Sequence, residues 1–172
     1  MPKDLFEHIC EEQVFAGIFK KHAKDLHDFL YYKFGEHINA EDQVQNAFLK
    51  LWDNCAKVSL DKSKSFLFTV ANNLAINLVK HQKVKLNYQN TSETKTSTNQ
   101  DPEFILEEKQ YLEKYKKALA NLTEAQRIAF LMNRVEGKKH QEIADVLGIS
   151  RKAVEKRIYG ALEKLRKEIE GI

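Results

Sequence analysis

The residues that punctuate a chain are scarce here: there are six glycines and two prolines. No run alternates apolar with polar residues, so nothing reads as a strand. Cysteine is rarer still. Cys10 and Cys55 lie far apart and form no CxxC pair, so they read as free thiols, structural or incidental, rather than as a redox or zinc motif. The six histidines are scattered, His22 and His27 sit five apart, and no HExxH occurs. No metal and no cofactor is expected. GxGxxG, the P-loop, GxSxG and the zinc signatures are all missing, so an enzyme is not expected. No apolar run is long enough to span a bilayer. The N-terminal "MPKDLFEHICEEQ" carries acids where a signal peptide needs a basic start and an apolar run. The expectation is a cytoplasmic protein with no membrane insertion.

What remains is globular: 42% of the 172 residues are apolar, enough for one domain or two small ones. Net charge is only +3, but it is unevenly spread. Residues 1–53 hold six Lys against ten acids. Residues 54–95 hold seven Lys against two acids, and residues 134–167 ten Lys or Arg against five. One acidic block and two basic blocks suggest surfaces with different partners.

Helical spacing fills most of the chain. "EEQVFAGIFKKHAKDLHDFLYYKFG" brings Val14, Ile18, Ala23, Leu26, Phe29 and Leu30 near one face and stops at Gly35. "NAEDQVQNAFLKLWDN" opens on Asn39 as N-cap, with acids in its first turn. Its stripe is Val44, Ala47, Phe48, Leu51 and Trp52. After the polar link "AKVSLDKSKS" comes an unusual helix, "FLFTVANNLAINLVKHQK". Phe66, Leu67, Val70 and Leu74 seat it, while Asn72, Asn73 and Asn77 interrupt it and a basic end follows. A plain core helix has little use for three amides.

Residues 87–102, "NYQNTSETKTSTNQDP", are Ser/Thr/Asn/Gln-rich with Tyr88 as the one large apolar side chain. Such a run does not offset its ordering entropy by burial, so it reads as a flexible linker between a domain over 1–86 and another over 103–172. The second domain opens with the periodic "FILEEKQYLEKYKKALANL". In "TEAQRIAFLMNRVEG", Thr123 and Gln126 stand at capping-box spacing and Gly137 closes the helix. The stretch "KKHQEIADVLGISRKAVEKRIYGALEKLRKEI" then reads as a helix-turn-helix. Ile143, Ala144 and Leu147 form one apolar face, Gly148 makes the turn, and Ile149 plugs the core. Ser150 caps the second helix, whose stripe is Val154, Ile158 and Leu162. Its other face shows Arg151, Lys152, Glu155, Lys156 and Arg157, long side chains suited to base edges and phosphates in a major groove. No heptad follows Leu165, and one recognition helix on a weakly charged chain should bind DNA poorly alone.

These segments resemble the extracytoplasmic-function (ECF) sigma factors, small two-domain members of the sigma-70 family. "AEDQVQNAFLKLW" (40–52) looks like the family's region 2.2, "SFLFTVANNLAINLVKHQK" like the end of region 2.3 with region 2.4, and residues 119–167 like regions 4.1 and 4.2. The "AVEK" of the recognition helix is similar to the Bacteroidetes type. The resemblance implies an all-α fold of two helical domains and a sigma factor that directs promoter-specific transcription initiation. It implies core RNA polymerase as partner, through the clamp helices of the largest subunit and the flap of the second-largest. Promoter DNA and an anti-sigma factor are the further partners implied.

Carried over by position, Asp42, Gln45, Asn46, Phe48, Leu49 and Trp52 are expected to bind polymerase. Lys62, Ser63, Lys64, Phe66, Asn72, Asn73, Asn77, Lys80 and Lys83 are expected at the −10 element, with Lys85 extending the phosphate rail. Ser150, Arg151, Lys152, Glu155, Lys156 and Arg157 are expected at the −35 element. Two positions depart from the family. Asn72 stands where Arg is common, which removes a cation, and Phe66 stands where Trp is common. The rival is a stand-alone helix-turn-helix regulator with a helical sensing or dimerisation domain. It accounts for residues 123–167 but leaves the charge blocks of the first domain as accident.

Overall fold

The computed structural model describes residues 8–86 and 102–169, with side chains placed for 8–82 and 107–169. The described residues are helical with no strand. The chain divides into two compact units, Met1–Asn90 and Thr91–Ile172. The segment read as a linker lies outside the described residues, save Pro102, which begins a helix.

The first unit is built from α1 (Glu12–Phe34), α2 (Ala40–Asp53) and α3 (Ser63–Leu86). Gly35 ends α1 with φ 63, a left-handed φ that a Cβ would disfavour. Asn39 caps α2, its side chain accepting from the Asp42 backbone N–H at 3.1 Å. A 3-10 turn, Leu60–Lys62, leads into α3.

Ile18, Leu26 and Leu30 of α1 share a core with Val44, Ala47, Phe48 and Leu51 of α2 and Leu67, Ala71 and Ala75 of α3. Each large member contributes about 1.5–3 kcal/mol by leaving water. The seat of α3 is thus the i, i+4, i+8 ridge 67–71–75. Phe66 and Val70 only border this core, and Leu74 is half-buried. Trp52, placed on the apolar stripe of α2 by spacing, is 44% exposed. It sits at the rim of the stripe and packs on Phe15, ring centroids 5.0 Å apart.

Between α1 and α3, Phe29 meets Phe68 at 5.2 Å. Four residues on along both helices, Lys33 Nζ donates to Asn72 Oδ1 at 2.7 Å. The two helices therefore run in the same direction, and α2 returns between them.

The cysteines are not free thiols. Cys10 and Cys55 are joined by a disulfide. Nothing local in the sequence signals it, because the partners lie 45 residues apart. The fold brings together the residue two before α1 and the residue two after α2.

The second unit holds α4 (Pro102–Asn121), α5 (Glu124–Arg134), α6 (His140–Leu147) and α7 (Arg151–Glu168). Pro102, placed in the linker from sequence, is the first residue of α4, where its missing N–H costs nothing. Thr123 and Gln126 form the expected capping box at the start of α5. The α6–α7 turn passes through Gly148 at φ 66, ψ 35, and Ser150 caps α7 by accepting from the Ala153 N–H at 3.1 Å. Ile143, Ala144 and Val146 carry the buried face of α6, with Leu147 only half-buried. Along α7 the buried ridge is Val154, Ile158, Ala161 and Leu165. Leu162, expected in that stripe, borders it. Between α5 and α7, a Cβ on Gly160 would meet Gln126 Nε2 at 2.8 Å.

The disulfide closes a long loop of the first unit, which restricts its unfolded ensemble. Reduction, or Cys55→Ser, is expected to lower that unit's stability by roughly 2–4 kcal/mol. Urea denaturation with and without dithiothreitol measures this, and the second unit's transition should not move.

Candidate nucleic-acid interface

The ridge 67–71–75 turns the other sides of α3 outward. Ser65, Thr69, Asn73, Asn77 and Lys80 are all exposed and follow one another by three or four residues, so they line one side of the helix. Lys62, in the preceding turn, is exposed as well. This is a polar stripe with two amides at i, i+4.

Asn72 lies a hundred degrees round the helix from Asn73 and is half-buried against α1. Its carbonyl oxygen holds Lys33, whose ammonium also lies 5.6 Å from the Phe29 ring centroid and 5.5 Å from that of Phe34. Ring faces and an amide oxygen are both favourable surroundings for a cation. Sequence reasoning placed no cation at Asn72. The structure sets one beside it, from a residue 39 positions away.

The rest of the −10 set divides by burial. Ser63 is buried and its hydroxyl donates to Leu60 O at 2.7 Å, so it braces the 3-10 turn. Ser65 makes a similar bond to Lys62 O at 3.1 Å. Lys64 and Phe66 are half-buried. The side chain of Lys83, and Lys85 with it, lies outside the described residues. A hydrogen bond from Ser59 holds the Asp61 carboxyl below its usual range, so the turn keeps one negative charge next to Lys62.

The groove beside this turn is lined by Gly17, Lys21, His22, Leu60 and Ser63. Burial, followed by the Lys21 and Lys64 ammonium groups, holds the His22 imidazole below its ordinary value, with Asp25 opposing.

On α2, Asp42, Gln45, Asn46, Leu49 and Trp52 are exposed along one side. Phe48, given as a polymerase contact, is 3% exposed and belongs to the core. Phe19 of α1 was not singled out from sequence; it packs on Phe48 at 4.8 Å and is 46% exposed. Phe19 on α1 and Leu49 and Trp52 on α2 are thus large apolar side chains left exposed on the two helices.

On α7, Arg151, Lys152 and Lys156 are exposed and Arg157 is half-buried. Glu155 Oε1 lies 3.1 Å from Arg151 Nε and 3.6 Å from His140 Nδ1. It therefore fixes the first turn of α7 and ties it to the start of α6. Tyr159, passed over in the sequence, is 63% exposed. Its i+3 spacing from Lys156 was the signal that could have found it.

Residues 18–84 match the family description "Sigma-70 region 2", and residues 112–165 match "Sigma-70, region 4". The two matches, in this order, span most of the chain, which belongs to the sigma-70 family. Among curated proteins, the ferric citrate uptake sigma factor FecI of Escherichia coli (strain K12) is 26% identical over 153 residues, 87% of each chain. Among solved structures, the fold is similar to that of the sigma factor RpoE from Bartonella quintana, crystallised with the anti-sigma factor NepR. The identity there is 19% and the TM-score 0.52, over 91% of this chain and 97% of that one. Within the family the chain is an ECF sigma factor, an RNA polymerase sigma factor acting in transcription initiation. A stand-alone regulator finds no support once the first unit is matched to sigma-70 region 2. No described helix is long and apolar enough to cross a membrane.

Two outcomes follow from the geometry of α1 and α3. Asn72→Ala removes a part-buried hydrogen bond to a charged group, so it should cost the first unit about 1.5 kcal/mol. Asn73→Ala on the exposed side should stay within about 0.5 kcal/mol of wild type, and paired denaturation curves distinguish them. His22 supplies the second. Its folded-state value is below its unfolded value, so the unfolded chain binds the extra proton on acidification. Its contribution is complete above the ordinary imidazole value and is lost as pH falls through the lowered one. His22→Gln should flatten that acid limb in a stability-versus-pH series.

Proposed function

We propose that this chain binds core polymerase through α2, holds an unpaired −10 strand on α3 and reads the −35 duplex with α7. The observation that carries the reading is the exposed pair Asn73 and Asn77 on a helix whose opposite ridge is core. An amide offers a donor and an acceptor side by side, which suits the Watson–Crick edge of a base out of its stack. Lys62 and Lys80 flank the pair and serve the phosphates. In this reading Asn73 and Asn77 face the strand. Asn72 acts through Lys33, which supplies the positive charge on that side.

Taking a base out of the stack costs a few kcal/mol. Stacking on an aromatic ring returns roughly 1–3 kcal/mol per base, and the amide contacts add selectivity. On α7, Lys152 and Lys156 stand on the open side with Tyr159, while Arg151 is shared with Glu155. Lys152, Lys156 and Arg157 are therefore the principal −35 contacts.

The exposed apolar side chains Phe19, Leu49 and Trp52, with Asp42, Gln45 and Asn46, suit the clamp helices of the largest polymerase subunit. The second unit would meet the flap of the second-largest subunit. The protein performs no chemistry of its own and works in the cytoplasm, where polymerase and promoter are. A solved relative binds an anti-sigma factor, which supports an antagonist of that class for this chain.

Run-off transcription with core polymerase and a promoter library tests the reading, and absence of sequence-dependent initiation would sink it. Asn73→Ala with Asn77→Ala should lower initiation about tenfold or more while core affinity stays at wild type, since each lost base contact is worth ~1–3 kcal/mol. An equal fall in core affinity would refute this division of labour. Tight binding to duplex without polymerase would also count against it.

A further inference from the structure

The disulfide lies beside the face assigned to core polymerase. Glu11, the N-cap of α1, makes no side-chain capping bond. The segment before it is held by Ile9, 1% exposed in the core, by one turn bond from the Glu11 N–H to His8 O at 2.8 Å, and by the disulfide. One turn into α1, Phe15 packs on Trp52 at 5.0 Å and on Phe48 at 5.9 Å. The Cys55 N–H donates back to Trp52 O at 3.1 Å. The covalent bond thus closes a circuit from Cys10 through Phe15 and Trp52 to Cys55. On its α2 side, Trp52 and Leu49 are exposed.

We propose that Cys10–Cys55 is a reversible thiol–disulfide site, acted on by a small thiol or dithiol reductant. Its state sets how well the α2 face docks on core polymerase. The inference rests on the sigma reading of that face. Cys10 is exposed and Cys55 half-buried against the core, so a reductant thiolate attacks the Cys10 sulfur. The Cys10–Cys55 bond breaks, a mixed disulfide forms on Cys10, and Cys55 leaves as a thiolate that takes a proton from water. A second reductant thiolate attacks the reductant sulfur of the mixed disulfide, and Cys10 departs and is protonated. The protein gains two electrons and two protons, and the reductant becomes its disulfide.

Once the bond is open, the start of α1, which has no side-chain cap, is held among the described residues by Ile9 and the one turn bond alone. Its first turn frays, Phe15 loosens from Trp52, and the docking face loses its preorganisation. An intact bond keeps the face assembled.

Trp52 is the only tryptophan and lies three residues from Cys55, so its emission is a natural reporter of the bond. The test uses full-length protein, oxidised or reduced with dithiothreitol, titrated with core polymerase while Trp52 fluorescence of the free protein is followed separately. The expected result is red-shifted emission on reduction and core affinity about tenfold weaker. Re-oxidation should restore both, and circular dichroism should show the three-helix unit still folded. Cys10→Ser should bind like reduced wild type and ignore dithiothreitol. Equal core affinity of the two wild-type redox states overturns the inference and leaves the sigma reading intact. So does a Cys10→Ser protein that binds as tightly as the oxidised form. If neither redox state binds core polymerase, the sigma reading falls and this inference with it.

Discussion

Leu67, Ala71 and Ala75 are shut off from solvent along one ridge of α3, and the working surface of the first unit depends on that ridge. Two of the three are alanines, which bury little area themselves. What they give is closeness: with only a methyl on the ridge, α3 lies tight against α1 and α2, where Ala47 is equally buried. The larger side chains beside them, Leu51, Leu30 and Leu26, then fill the core at full density. A bulkier residue at 71 or 75 would force the helices apart. Because so narrow a ridge suffices, the remaining circumference of α3 is released from packing. Amides occupy it without leaving a buried side-chain nitrogen or oxygen unsatisfied among the described residues.

The same economy governs charge. A helix meant for a phosphate-rich partner tends to repel itself before the partner arrives. On α7 the repulsion is relieved at one point by Glu155, which accepts from Arg151 and faces His140. That arrangement also lends the uncharged N-cap Ser150 a rigid first turn. On α1, Lys33 is settled against two ring faces and the Asn72 oxygen. Exposed ion pairs elsewhere, such as Lys167 with Glu163 at 3.2 Å, are worth little to stability.

How much of this was legible in the sequence follows from range. Features decided within one or two turns were readable: Asn39, Thr123 and Ser150 as caps, Gly35 and Gly148 as stops, and the helix-turn-helix itself. Each rests on bonds between residues three or four apart. Helix faces were legible to within one residue of rotation. That is why spacing favours Leu74 as a seat over Ala71 and Ala75, and Leu147 over Val146. Periodicity weights large apolar side chains, whereas close helix packing selects small ones. The Cys10–Cys55 bond, the Lys33–Asn72 bond and the packing of Phe19 on Phe48 were not legible. All three bring together residues of different helices or of the segments flanking them, and no spacing rule reaches across such a gap. The amides on the 66–83 helix lay between. That they were too many for a core helix was visible, but which of them turned outward was decided by α1.

A single recognition helix of this charge makes few phosphate contacts. Each contact contributes about 0.9 to the slope of log K against log salt, so α7 alone holds duplex DNA weakly at physiological ionic strength. The weakness suits a sigma factor. A subunit that gripped promoter duplex tightly by itself would occupy sites without polymerase and block them. Sharing affinity between a protein face on α2 and nucleic-acid faces on α3 and α7 makes stable binding conditional on all partners being present. The α2 face therefore carries a disproportionate share of control. Its quality depends on Trp52 and Phe15 staying in contact, at the place where the unit's one covalent cross-link is set.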